Sequence, residues 1–160
     1  MIQFSKHSKI YTLEAFQELN ISLEKAWAYF STPENLSKIT PPNLGFTITS
    51  KVDKSVYQGQ IITYKVSPLP LIKMNWVTEI TAVKEKEFFI DEQRFGPYAM
   101  WHHEHFFERL SNGNTLMRDK VSYKIPFGVL GRIAQVLFIK KQLLAIFNYR
   151  VQKLEKLFKE

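Results

Sequence analysis

The chain has 160 residues, 45% hydrophobic and 23% charged, with a formal net charge of +7. That length suffices for one folded domain with a sizeable core, so a single domain over 1–160 is expected. With no cysteine in the sequence, disulfide frameworks, thiolate nucleophiles and Cys-based metal sites are excluded.

Lys and Arg are scattered rather than gathered on one element with interleaved aromatics, which argues against nucleic acid as a partner. Their excess leaves attraction to an acidic membrane surface open, though not favoured. Met1–Ile10 is polar and basic, unlike a signal peptide. Ile133–Ile139, the longest charge-free apolar run near the C-terminus, is too short to span a bilayer. The expected location is cytoplasmic. Thirteen Phe, seven Tyr and three Trp exceed what a core of this size requires, and fit either a Phe-rich core or a cavity wall.

In chain order, Lys9–Asn20 reads as a strand with a mixed pattern. Asn20 and Ser22 offer N-caps for a short helix over Leu23–Phe30. A second helix opens at Thr32-Pro33, with Pro at its first position, and stops at Pro41-Pro42. From Leu44 the period becomes two, with strands expected over 44–53, 59–67, 74–83, 87–95, 98–109 and 115–125. The clearest alternation places Met117, Asp119, Val121, Tyr123 and Ile125 on one face, as in a half-buried antiparallel strand.

After Pro126 the period changes again. Leu130, Leu137, Leu144, Val151 and Phe158 recur every seven residues, joined by Ile133, Phe147 and Leu154. The spacing predicts one amphipathic helix over 130–158, roughly 40 Å long at about 1.5 Å per residue. Coiled-coil dimerisation is one account of the heptads, and the oligomeric state stays open. The wide stripe, which includes Val136, Leu143 and Leu157, favours a helix lying across a sheet. The whole order predicts an α+β helix-grip: a seven-stranded antiparallel curved sheet wrapped around a long C-terminal helix. Two short helices follow the first strand, and a cavity lies between sheet and helix.

Several segments resemble the START-like (SRPBCC) superfamily, in its bacterial ligand-binding, polyketide cyclase/dehydrase-like branch. They are Pro33–Leu36, Ile39–Pro42, Gly59–Tyr64, Trp76–Ile80, Phe89–Gln93, Gly96–Tyr98 and Trp101–Phe107, then Met117–Asp119, Tyr123–Pro126 and Phe147–Arg150. They span nearly the whole chain in the expected order. The resemblance implies a cavity that takes lipids, hormones or polyketides, in some members with cyclisation or dehydration. No Cys-x-His iron–sulfur signature is present, so no oxygenase partnership is implied.

Three of the four histidines fall within His102–His105. On a strand, Trp101, His103, His105 and Phe107 share one face, while His102, Glu104, Phe106 and Glu108 share the other. Two carboxylates assign the second face to solvent, so His103 and His105 point inward. Their Cα atoms would stand about 6.5–7 Å apart, a usable metal spacing, yet zinc needs at least one further ligand, which Asp119 could supply. Hydrogen-bonded pocket histidines are expected, with no metal and no cofactor.

Asp119 lies within an apolar face, and an unpaired buried carboxylate costs several kcal/mol, so it needs a donor. Strand parity offers His105: an odd loop between 98–109 and 115–125 brings inward residues into register. A five-residue loop sets His105 directly opposite Asp119, and a three-residue loop sets it diagonal. Asp91 and Gln93 alternate with Phe89 and Phe95 on another apparently apolar face. Tyr64, Trp76 and Tyr123 fall on inward strand positions, which line the cavity in the resembled superfamily.

Lys140 and Arg150 interrupt the apolar stripe of the last helix, either by snorkelling or as cations at the cavity mouth. Ser67–Met74 reads as a loop whose Leu69, Leu71 and Met74 would form a lip of that mouth. The expected function is binding of a hydrophobic small molecule, oriented by Asp91, Gln93, His103, His105 and Asp119. The alternative is a cyclase or dehydratase using His105 and Asp119 as an acid/base pair. A further alternative is a module meeting a membrane or partner through Phe138, Ile139 and Ile146.

Overall fold

The sheet begins with a strand not expected from the sequence. The computed structural model describes residues 1–69 and 72–159, with the backbone alone at 68 and 69. In it, β1 (Ile2–His7) pairs antiparallel with β2 (Ile10–Leu19), from Ile2 opposite Ala15 to His7 opposite Ile10. The two-residue turn is Ser8-Lys9, with Ser8 left-handed at φ 56°. Such turns usually carry Asn-Gly or Asp-Gly. With neither present, the hairpin had no readable signal.

Two short helices follow. In α1 (Leu23–Phe30) the Ser22 side chain accepts from Lys25 N–H, and Ala26 and Trp27 are buried. The second helix, α2 (Asn35–Lys38), is a single turn, shorter than the expected run to Pro41, and a 3-10 turn over Pro42–Leu44 follows. Gly45 ends that turn in the left-handed region at φ 53°, where a glycine carries no Cβ penalty.

The expected strand 44–53 contracts to β3 (Thr47–Ile48). Thr49 N–H and Ser50 N–H both donate to Thr63 O, and Ser50 Oγ takes the Thr63 N–H. That side chain occupies a ladder position, so regular pairing stops. The remaining strands are β4 (Ile61–Leu69), β5 (Ile72–Lys84), β6 (Phe88–Phe95), β7 (Met100–Arg109) and β8 (Thr115–Lys124). Ser67–Met74 therefore belongs largely to a β4–β5 hairpin rather than to a loop. The sheet has eight strands, not seven, in the order β1-β2-β8-β7-β6-β5-β4-β3, with every pair antiparallel.

The C-terminal helix comprises α3 (Gly128–Ala134), a π-helical turn (Gln135–Ile139) and α4 (Lys140–Leu157). In α4 the buried residues are Leu143, Phe147, Arg150 and Leu154. In α3 and the π turn only Gly131 and Gln135 are buried. The heptad positions Leu130, Leu137 and Leu144 are exposed. A π turn takes in an extra residue, which rotates the faces of the two halves relative to each other. The packed positions of α4 are instead Leu143, Phe147, Arg150 and Leu154.

Leu13, Ala15, Val121 and Tyr123 pack with Leu143 and Phe147, joining β2, β8 and α4. A second cluster joins α1 to the sheet through Trp27, Phe89, Phe107 and Met117. Burial of each such side chain contributes about 1.5–3 kcal/mol. Between these clusters the helix and sheet diverge.

Candidate functional site

The divergence leaves a cavity of about 620 Å³, within the range of small-molecule sites. Its wall is mostly apolar. Ile62, Tyr64 and Val66 line it from β4, and Met74, Trp76, Thr78 and Ile80 from β5. Phe30, Leu36 and Ile39 close one end, and Leu143, Ile146 and Phe147 close the helix side.

The polar part of the wall comes from the middle of the sheet. Register sets Asp91 opposite His103, Phe89 opposite His105 and His105 opposite Asp119. The β7–β8 loop is Leu110–Asn114, so the five-residue alternative is the one adopted. Side chains at matched positions on β6, β7 and β8 then form one row. His105 Nε2 lies 2.8 Å from Asp91 Oδ2, and His103 Nε2 lies 3.0 Å from Asp119 Oδ1. His105 Nδ1 approaches Asp119 Oδ1 to 2.8 Å, yet finds no aligned hydrogen-bond partner. The aligned partner of His105 is therefore Asp91, and that of Asp119 is His103. From the helix, Arg150 donates to Asp119 Oδ2 at 3.1 Å.

Charge explains why this cluster tolerates burial. Burial pushes Asp119 up, but the Arg150 guanidinium and the two imidazoles outweigh it and hold the carboxyl well below its usual value. Asp91 is likewise held low against burial, through the His105 hydrogen bond and the neighbouring cations. Burial and repulsion from His105 depress His103. Burial also acts on His105, yet contacts with Asp119 and Asp91 raise it overall. Of the two imidazoles beside these carboxylates, His105 therefore favours its proton more than His103 does. The titrations belong to the group as a whole.

Of the other expected pocket residues, Tyr64, Trp76, Phe89 and Trp101 border the cavity with Asp91, His103 and His105. Tyr64 hydrogen-bonds Thr78 through their hydroxyls, and burial with the nearby Asp91 charge raises the phenol pKa. Asp119, Gln93 and Tyr123 are not among the residues that border the cavity. Gln93 instead clamps the 96–98 turn, donating to Tyr98 O and accepting from Tyr98 N–H. Tyr123 is fully buried and accepts from Gln135 at 2.7 Å.

At the expected mouth, Met74 borders the cavity, whereas Leu71 and the Leu69 side chain lie outside the described residues. Lys140 does not border it. It is exposed, with Nζ 5.2 Å above the Phe4 ring. Arg150 does not snorkel: it borders the cavity, and its head is buried against Asp119. That pairing spans 31 residues and has no sequence signal. Tyr29, Phe46 and Tyr98 also line the cavity. They come from a helix end, an irregular segment and a turn, where no periodicity reveals facing.

Asp91, His103 and His105 offer ligand atoms within 4.8 Å of one another, close enough to converge on a metal ion. Imidazole with carboxylate suits zinc. In this arrangement, however, the same atoms already hold one another.

No protein-family model and no curated protein sequence matches the chain. Solved structures do. A protein from Arthrobacter aurescens aligns at TM-score 0.70 and 13% identity, covering 96% of this chain and 91% of its own. Protein Ms6760 from Mycobacterium smegmatis aligns at TM-score 0.64 and 19% identity, covering 99% and 98%. A norcoclaurine synthase point mutant from Thalictrum, in complex with a transition-state analogue, aligns at TM-score 0.65 and 12% identity, covering 95% and 98%. At such identities the likeness establishes the fold, and the fold is that of the START-like helix-grip proteins.

Proposed function

We propose that the protein binds a hydrophobic small molecule bearing one or two polar groups, in the cavity between the sheet and α4. The observation that carries this reading is an apolar cavity of about 620 Å³ with unpartnered polar atoms in its wall. Trp76 Nε1 and Tyr29 Oη are buried with no hydrogen-bond partner among the described residues. A buried donor left unpaired costs about 1–3 kcal/mol, which a ligand acceptor would recover. The apolar wall supplies affinity, and these donors with His103 and His105 set orientation. Norcoclaurine synthase, on the same fold, holds a transition-state analogue.

The test is titration with an environment-sensitive apolar dye, followed by displacement with a panel of lipid- and polyketide-like molecules. Ile146→Trp, which fills space at the helix wall, should weaken dye binding at least about tenfold, the scale of ~1.4 kcal/mol. Unchanged binding would refute the reading.

One observation supports a second reading, acid–base chemistry on the bound molecule. His103 is displaced down and His105 up, so His105 holds its proton to higher pH than His103, the ordering an acid and a base need. In this reading His105, beside Asp91 and Asp119, gives a proton and His103 takes one. A cyclisation or dehydration of a polyketide-like substrate needs that pair. Turnover of an activated model substrate, with a bell-shaped pH profile lost in His105→Ala while dye binding persists, would establish it. Binding without turnover would leave the protein a carrier.

A further inference from the structure

The α3 helix and the π turn present most of their apolar side chains to solvent. Phe127 is 80% exposed, Leu130 72%, Val136 71% and Phe138 61%, with Ile133 and Leu137 about half exposed. Phe127 also adopts a left-handed backbone at φ 67°, where a bulky side chain is strained. That strain, next to Gly128 at φ 52°, turns the chain so that the ring projects outward. Held strain of this kind is an indicator of function. Gly131 and Gln135 alone are buried in the segment. A contiguous face of this sort marks an interaction site.

Charge identifies the partner. Between Asp119 and Glu155 the sequence contains no Asp or Glu. Lys124, Arg132, Lys140 and Lys141 lie within or next to this segment in sequence, and among the described residues none of them forms a salt bridge. Two copies meeting through this face would bring like charges together, which disfavours a dimer. An apolar segment with flanking cations suits the interface of an anionic bilayer, where each Lys or Arg near the surface adds attraction. No helix among the described residues is long and apolar enough to cross a membrane, so the segment would lie in the plane of the interface.

We propose that residues 127–141 form a docking surface for anionic lipid membranes. Phe127 and Phe138 also border the cavity, so docking would set its opening against the lipid. The inference goes beyond ligand binding and stands whatever the cavity holds.

The test is co-sedimentation with phosphatidylcholine vesicles, with and without about one third phosphatidylglycerol. Binding is expected to the anionic vesicles and to fall at high salt. Leu137→Gln with Phe138→Gln, and separately Lys140→Glu with Lys141→Glu, should each weaken it about tenfold or more. All four positions lie outside the packed core, so the thermal midpoint should hold and report that the variants fold. Ile146→Trp should bind vesicles like the parent, which separates this result from the fate of the cavity reading. Equal binding to neutral vesicles, no vesicle binding, or insensitivity to both double variants would each overturn the proposal. A concentration-dependent dimer lost in Leu137→Gln, without vesicle binding, would assign the face to a second copy instead.

Discussion

His105 stands directly across the β7–β8 ladder from Asp119, with Nδ1 2.8 Å from Oδ1. The same carboxylate oxygen lies 3.0 Å from His103 Nε2, and the other oxygen takes Arg150. Asp119 thus joins the sheet to the C-terminal helix through buried charge. Removing it would leave the buried Arg150 without its hydrogen-bonded counter-charge and His105 with Asp91 alone. Asp119→Ala is expected to cost about 3–5 kcal/mol in urea unfolding. Adding Arg150→Met should recover a large part of that loss. A loss under 1 kcal/mol, on the scale of about 0–1 kcal/mol for surface pairs, would mean that the pair is solvated.

The two buried imidazoles should titrate on opposite sides of about 6.5, the ordinary histidine value. His105 is raised, so its stabilisation is complete below that value and is lost as pH rises through its higher folded pKa. His103 is depressed, so its contribution is present above that value and is lost as pH falls through its lower folded pKa. Imidazole NMR titration reads both. In Asp119→Asn the His105 midpoint should fall, because one of the two charges that raise it is gone.

Acid should unfold the protein through the same cluster. Asp91 and Asp119 are both held low. Their contribution is present above about 3.9 and is lost as pH falls through their depressed values. Circular dichroism across this range should show the loss displaced to higher pH in Arg150→Met, where the cation holding Asp119 down is absent.

Gly131 is where α3 touches the body of the protein. A Cβ there would meet Pro126 O at 2.0 Å and the Ile125 side chain at 3.0 Å. Backbone cannot yield as a flexible side chain does, so Gly131→Ala should push α3 outward and break the Gln135–Tyr123 hydrogen bond. The expected cost is about 1–3 kcal/mol, with faster amide exchange confined to 128–139. A variant as stable as the parent would show that α3 is not anchored at Gly131.

Dialysed protein is expected to carry well under one equivalent of zinc by elemental analysis. A dication at Asp91, His103 and His105 would have to break the His105–Asp91 hydrogen bond and displace a proton from an imidazole that favours it. Stoichiometric zinc that resists dialysis would reverse this assignment and make the two histidines ligands.

Periodicity and punctuation made the order of elements readable. Alternation in β8, the caps of α1 and the apolar stripe beyond Pro126 are local properties, and they led to the helix-grip. Parity, together with the two carboxylates on the opposite face, turned His103 and His105 inward. It also limited Asp119 to two registers with His105. Local signals failed where structure depends on partners distant in sequence. The β1 hairpin turns on Ser8-Lys9 without a turn motif, and β3 ends because the Ser50 hydroxyl captures the Thr63 N–H. The heptad positions Leu130, Leu137 and Leu144 face solvent, within and on both sides of the π turn at Gln135–Ile139. Which imidazole each carboxylate holds, and the burial of Arg150 against Asp119, were decided by tertiary packing. The energy of a buried charge depends on its nearest counter-charge in space, and chain separation carries no record of that distance.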